Sequence, residues 1–328
     1  MQPFWEQIRF WCAPMEGVMQ PRVIRSCNRL DLVSGWMTPF LRISQTVPKP
    51  AQIAEFLAPF EPNRRPVVLQ LMGVDPLTMA ECARRALALG ARGIDLNLGC
   101  PSRQVARHGA GAGGLREFET TPAVAAALRR VTPEGCFSIK LRCGFHCPAE
   151  LPAWIATLCR IAAPDAITVH YRTALEGYRP APGRLERLCG AEAALRRYGV
   201  RLIVNGDLAT PEETRELMRQ THAWGAMIGR GFWRDPWLLR RLEGQPDCPA
   251  PEAGRRRLWN AILAPEPACE PLSRGQAVEL AHLISGRDSA AARELRGLDD
   301  DGFRRRYAAA ALPSGPEPVP DSRSKDSP

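Results

Sequence analysis

A single thiol stands between a glycine and a proline in Asn97-Leu98-Gly99-Cys100-Pro101-Ser102, directly after the apolar segment that begins at Gly93. Ile94, Leu96 and Leu98 alternate with Asp95 and Asn97, the period of a strand, and Gly99 and Pro101 stop that strand on either side of the thiol. A cysteine delivered in this way is placed to act as a nucleophile or a proton donor. Most unpaired cysteines simply fill a core. Cys100 therefore gains meaning only if other reactive side chains are brought to the same place.

The elements that would bring them there are legible. From Arg9 to about Gly231 short apolar runs alternate with longer amphipathic ones, the pattern of βα units. Eight strands are predicted, at Arg9–Met15, Leu32–Met37, Val67–Met72, Gly93–Leu98, Phe137–Arg142, Ala166–His170, Arg201–Asn205 and Trp224–Gly229. Helices such as Pro76–Leu89, Pro122–Val131, Ala149–Ala162, Gly183–Tyr198 and Pro211–Thr221 lie between them, several opened by proline in the first turn. Eight such repeats close most naturally into a TIM (β/α)8 barrel, whose chemistry gathers at the C-terminal strand ends. The predicted ends carry Ala13-Pro14-Met15-Glu16-Gly17, Gln70, Asn97 with Cys100, Lys140 with Arg142, His170 with Arg172 and Thr173, Asn205-Gly206-Asp207 and Gly229-Arg230-Gly231. One polar strand end is commonly just solvated. Seven at one rim make a site.

Beyond Gly231 the pattern changes. Phe232 to Gly244 reads as a last barrel helix, Pro246, Pro249 and Pro251 mark a linker, and Glu252–Ala264, Arg274–Ser285 and Ala290–Ala311 read as a small helical appendage. The expected division is a barrel over 1–243, helices over 244–311 and a Pro- and Ser-rich disordered tail over 312–328. Arg255-Arg256-Arg257 and Arg304-Arg305-Arg306 are solvated faces or phosphate contacts.

The 328 residues carry a formal charge of +9, 44 Lys and Arg against 35 Asp and Glu, which favours a polyanionic partner. No stretch approaches 18 consecutive apolar residues, and no basic-then-apolar export signal opens the chain, so a cytoplasmic protein without a membrane span is expected; a monomer is expected as well. The eleven cysteines are odd in number and scattered, which points to reduced thiols. Cys143, His146 and Cys147 lie close together, but no second pair at zinc spacing follows, so no metal is expected.

Together the strand ends suggest a phosphate at the two glycine turns, with Arg230 as a cationic donor. Lys140 and His170 leave room for a flat ring above the barrel axis. If that ring is a flavin, Lys140 stabilises negative charge on it, Gln70 satisfies its polar edge, and Cys100 faces the substrate as an acid.

Six segments in register, Ala13-Pro14-Met15-Glu16-Gly17-Val18, Asp95 to Ser102, Lys140-Leu141-Arg142-Cys143-Gly144, His170-Tyr171-Arg172-Thr173, Asn205-Gly206-Asp207 and Ile228-Gly229-Arg230-Gly231, resemble the bacterial tRNA-dihydrouridine synthases over residues 9–242. The resemblance implies an FMN-bearing barrel that reduces a D-loop uridine of tRNA to 5,6-dihydrouridine with NADPH. It implies hydride transfer to C6 of the uracil and protonation of C5 by Cys100. It further implies flavin contacts from Pro14, Met15, Gln70, Lys140 and His170, and a ribityl and phosphate end held by Asn205, Asp207, Gly229 and Arg230. Asn97, Arg103 and Arg172 are expected at the substrate. Met15-Glu16-Gly17 looks most like the C-type branch, which acts on uridine 16. Three positions depart from the family pattern: Tyr171 stands where glycine is usual, Arg103 replaces lysine, and Pro39 replaces glutamate. The helical appendage matches poorly. Two alternatives stay open: an FMN barrel acting on a small molecule, like a dihydroorotate dehydrogenase, and a non-catalytic RNA-binding derivative.

Overall fold

The computed structural model describes residues 4–264, 270–286 and 290–303. Among the described residues nine strands form one parallel sheet: β1 Phe10–Cys12, β2 Trp36–Met37, β3 Leu41–Arg42, β4 Val67–Met72, β5 Gly93–Leu98, β6 Phe137–Arg142, β7 Ala166–His170, β8 Arg201–Asn205 and β9 Gly225–Ile228. Their order runs β1-β9-β8-β7-β6-β5-β4-β2, with β3 also on β4. β1 adjoins β2, so the sheet closes into a nearly complete TIM barrel of eight staves.

The second stave corrects the expected strand at Leu32–Met37. Only Trp36 and Met37 pair there, opposite Val67 and Val68, and pairing resumes at Leu41 and Arg42 opposite Leu71 and Met72. The cause is Pro39, which has no N–H to donate to a ladder. Across the gap the Thr38 hydroxyl accepts the Gln70 N–H at 3.1 Å. Leu32 belongs to the turn that ends the preceding helix, Pro21–Arg29, its N–H bonded to the Cys27 carbonyl. The expected last barrel helix is likewise split into Arg230–Arg234 and Leu238–Leu242. Pro236 disfavours helical geometry at Asp235, and the Asp235 carboxylate turns to hold Arg241 at 3.0 Å.

Inside the barrel the strand alternation sorts residues by depth. Trp5, from the N-terminal helix Phe4–Gln7, plugs the lower end with Trp11, Met37, Val68, Ala166, Ile203 and Met227. Burying each large apolar side chain of this plug contributes roughly 1.5–3 kcal/mol. Buried polar side chains begin directly on top of this plug, with Asp95 and Ser138 beside Ala166 and Gln70, Thr168 and Asn205 at the next positions of their strands. A second, larger apolar cluster fills the layer between staves and helices.

The appendage comprises helices Pro251–Leu263, Arg274–Ser285 and Ala290–Gly297; the expected Ala290–Ala311 is interrupted at Leu298 and Asp299, residues 300–303 are helical again, and 304–311 lie outside the described residues. Arg304-Arg305-Arg306 and the expected tail lie outside the described residues. The first of these helices packs on Pro21–Arg29, where the Arg22 guanidinium meets the Ile262 and Ala264 carbonyls at 2.5 Å and Leu263 at 3.4 Å. Those carbonyls lack partners within their own helix, and a cation there also complements the helix dipole. Among the described residues no helix is long and apolar enough to cross a membrane.

Candidate active site

Cys100 leaves the end of β5 in a turn fixed from below. The Asn97 side-chain oxygen accepts the N–H groups of Gly99 and Cys100, each at 3.0 Å, and Arg142 Nε donates to the Gly99 carbonyl at 2.8 Å. Asn97 Nδ2 donates to Gln70 Oε1 at 2.7 Å, and Gln70 Nε2 donates to the buried Asp95 carboxylate at 2.8 Å. Burial pushes the Cys100 thiol above its ordinary range, and Glu16 adds to this against the opposing effects of the Ser102 N–H, Arg142 and Lys140. The thiol is therefore a held acid at neutral pH.

Beside this turn lies a cavity of about 430 Å³ over the polar end of the barrel, within the ~300–1,000 Å³ usual for a small-molecule site. Lys140, on β6, donates to Asn205 Oδ1 at 3.1 Å. Burial, then the neighbouring Arg142, bring Lys140 down to about 8, against the pull of Asp95. Burial also lowers His170 well below its ordinary value, helped by Lys140, Arg142 and Arg172. Neutral His170 accepts the Arg172 N–H at Nδ1, 3.3 Å, which leaves Nε2 as the protonated nitrogen and a donor. Arg142 lies 5.2 Å from the ring centroid of Tyr178 at the mouth.

At the other end of the cavity the turns after β8 and β9 meet. Asp207, left-handed at φ 49°, receives the Tyr171 hydroxyl at 2.7 Å and the Arg172 guanidinium on Oδ2, and Arg230 at 2.6 Å on Oδ1. Burial would raise its carboxyl, but the bonds from Arg172 and Tyr171 and the charges of Arg172 and Arg230 outweigh it and hold it at about 2. Gly231 has no alternative, because a Cβ there would sit 2.0 Å from the Leu208 carbonyl oxygen. A larger, more open cavity of about 790 Å³ lies at the opposite end of the barrel among Arg25, Arg29, Arg64, Arg65 and Arg240. It holds no strand-end residues, and Asp31 pairs with Arg65 and Arg240. The smaller cavity, where the polar strand ends converge, is the candidate site.

A family model described as dihydrouridine synthase (Dus) matches residues 11–260. The chain belongs to the dihydrouridine synthase family. It is 32% identical over 246 residues to the tRNA-dihydrouridine(16) synthase of Cupriavidus necator, covering 73% of this chain and 74% of that one. The protein of the same name in Haemophilus influenzae is 31% identical, with coverages of 73% and 78%. The tRNA-dihydrouridine synthase B of Pseudomonas aeruginosa is 28% identical, with 76% and 75%. Among solved structures, morphinone reductase superposes with a TM-score of 0.52 at 14% identity, covering 73% of this chain and 86% of that one. TcOYE with pHBA gives 0.53 at 10%, covering 76% and 92%. Those two likenesses concern the fold alone.

On this dihydrouridine synthase barrel the structure brings Pro14, Met15, Lys140, His170, Asn205, Asp207, Gly229 and Arg230 around one cavity. Gln70 is not on its wall: it is fully buried, with both ends of its amide bonded to Asp95 and Asn97. Asn97 and Cys100 are not among its lining residues, although Gly99 between them is. Arg172, expected at the substrate, is buried against the Tyr171 ring and turned to Asp207. Tyr171, the departure from the family pattern, is turned the same way and lies off the cavity wall. The side chain of Arg103 lies outside the described residues.

Arg142, Tyr178, Leu208 and Leu283 line the cavity without having been given an expected role. Arg142 had a signal, since it follows Lys140 at the strand period. Tyr178 sits in an irregular loop, and Leu283 reaches the cavity from helix Arg274–Ser285; no periodicity announces either contact.

Proposed function

We propose that this protein is a tRNA-dihydrouridine synthase of the uridine-16 branch, with FMN, with NADPH as reductant and with Cys100 as proton donor. The observation that supports it most is a cysteine turn, fixed by Asn97, at the edge of a cavity whose donors suit a flavin. The residues present fit that group. Lys140 and the Nε2–H of His170 offer donors at one end, the β8 and β9 turns with Arg230 offer a cation at the other, and Ala13, Met15, Leu208 and Leu283 offer apolar wall between them.

FMN held there and reduced by NADPH would supply the hydride that the C6 atom of the uracil receives. The remaining work belongs to the chain. Lys140 balances the negative charge that a reduced ring carries, and His170 donates without adding charge. Tyr178 at the mouth, exposed and backed by the buried Arg142 guanidinium, suits the face of a uracil. Cys100 Sγ gives its proton to C5, leaving a thiolate that water reprotonates, so one hydride and one proton saturate the C5–C6 bond. Asn97 fixes the distance over which that proton moves.

The barrel over 1–243 is read as the catalytic unit and the helices over 244–311 as the tRNA-binding one. A cavity of about 520 Å³ between Gly17, Gln20 and helix Arg274–Ser285, bordered by Arg274 and Arg296, supports an approach of tRNA across that junction. The test is to purify the protein, identify the flavin released from it, and map dihydrouridine in tRNA lacking it after incubation with NADPH. FMN and a new dihydrouridine at position 16 are expected. A colourless protein that takes up no flavin, or flavin without tRNA reduction, would refute the reading.

A further inference from the structure

We propose that Tyr171 is a positioning residue for the cofactor's phosphate: through its hydroxyl it fixes the Asp207 carboxylate, which in turn aims Arg230 into the phosphate end of the cavity. The inference rests on the flavin reading above and assigns a task to the side chain that stands where the family usually has glycine.

The geometry divides the carboxylate into two halves. Tyr171 and Arg172 both donate to Oδ2, the former at 2.7 Å, and Oδ1 is left for Arg230 at 2.6 Å. Arg230 is 48% exposed at its side chain, so the bond to Asp207 is what restrains a guanidinium that solvent would leave mobile. A bare carboxylate beside a phosphate would repel it. Donors on Oδ2 draw its charge to the side away from the cavity, so the pair of arginines prevails over one shielded acid.

The backbone points the same way. Asp207 is a non-glycine residue in the left-handed region, at a cost on the order of 1 kcal/mol, directly after Gly206 at φ 118°. Arg184 bonds the Asp207 carbonyl at 3.0 Å, and the Tyr171 ring fills the space under the turn. A Cβ at Gly206 would lie 2.6 Å from Tyr171 Cδ1. The ring also lies parallel to His170 within 5°, centroids 5.7 Å apart. Burial, then the bond to Asp207, raises the Tyr171 hydroxyl to about 12, so it remains a donor throughout the working range.

Tyr171→Phe keeps the ring and removes only the donor. The proposal is tested by titrating FMN and riboflavin, which differ by the phosphate alone, into flavin-stripped wild type, Tyr171→Phe, Arg230→Ala and the double variant, following flavin fluorescence. Tyr171→Phe is expected to weaken FMN binding about tenfold while riboflavin binding stays within about twofold. In the Arg230→Ala background the Tyr171→Phe change is expected to have no further effect on FMN. Equal losses for both flavins would show a packing role and overturn the proposal, as would undiminished FMN affinity or an undiminished Tyr171→Phe effect without Arg230. Wild type that binds neither flavin would overturn the flavin reading itself, and this inference with it.

Discussion

The Asn97 amide has no choice of orientation. The buried Asp95 carboxylate accepts from Gln70 Nε2, so Gln70 Oε1 must accept from Asn97 Nδ2, and the Asn97 oxygen is left for the Gly99 and Cys100 N–H groups. Removing the amide strands those two donors, and Asn97→Ala is expected to slow single-turnover dihydrouridine formation about 10–100-fold at unchanged flavin content. Turnover near wild type would show that the turn stands without it. At Lys140 the sign of the pH dependence follows from burial and Arg142, which lower it to about 8: the cation is present below that value and lost above it. With Cys100 raised above its ordinary range, the rate at saturating tRNA should fall first as pH rises through about 8. Lys140→Arg, always charged, should move the fall to higher pH. A profile flat to pH 9 would remove Lys140's charge from the mechanism. Cys100, Lys140, His170 and Asp207 were legible in the sequence because each lies on a strand of period two or within two residues of its end. Gln70 shared that signal, yet its depth one layer below the rim depends on how the staves stagger. Arg172 lies as close to its strand end, but its turn toward Asp207 is set by tertiary contacts, and Tyr178 lies in a loop that no period constrains.

At the scale of elements, β4 to β8 were readable to the residue because their interiors carry neither glycine nor proline and both faces are buried. The second stave misleads because Leu32 and Val33 are as apolar as a strand but pack as the close of a helix, after Asp31 turns left-handed at φ 52°. The strand that does form is short and broken by Pro39. The β9 turn shows how tightly an element end is specified. Gly231→Ala would press a methyl onto the Leu208 carbonyl and is expected to cost about 1–3 kcal/mol, read as a lower denaturant midpoint, together with lost FMN. An unchanged midpoint and full flavin content would mean that the two turns yield more easily than their packing implies.

The whole molecule is a basic chain whose barrel and appendage meet over Arg22. Replacing that residue by methionine keeps the stem but leaves the carbonyls of Ile262 to Ala264 without their cation. Arg22→Met is expected to weaken tRNA binding more than FMN binding, measured by parallel titrations, and equal losses would show that the helices do not set the tRNA track. The appendage was legible as helices but not as a wall of the cavity, since the reach of Leu283 depends on tertiary docking. The most direct test of the account is the dihydrouridine formed per tRNA by FMN-loaded Cys100→Ala, alongside its NADPH oxidation and tRNA affinity. The thiol is assigned only the proton for C5, so flavin reduction and tRNA binding should stay at wild-type levels while dihydrouridine formation falls ~10²–10⁴-fold. Product formation near the wild-type rate in that variant would contradict the mechanism.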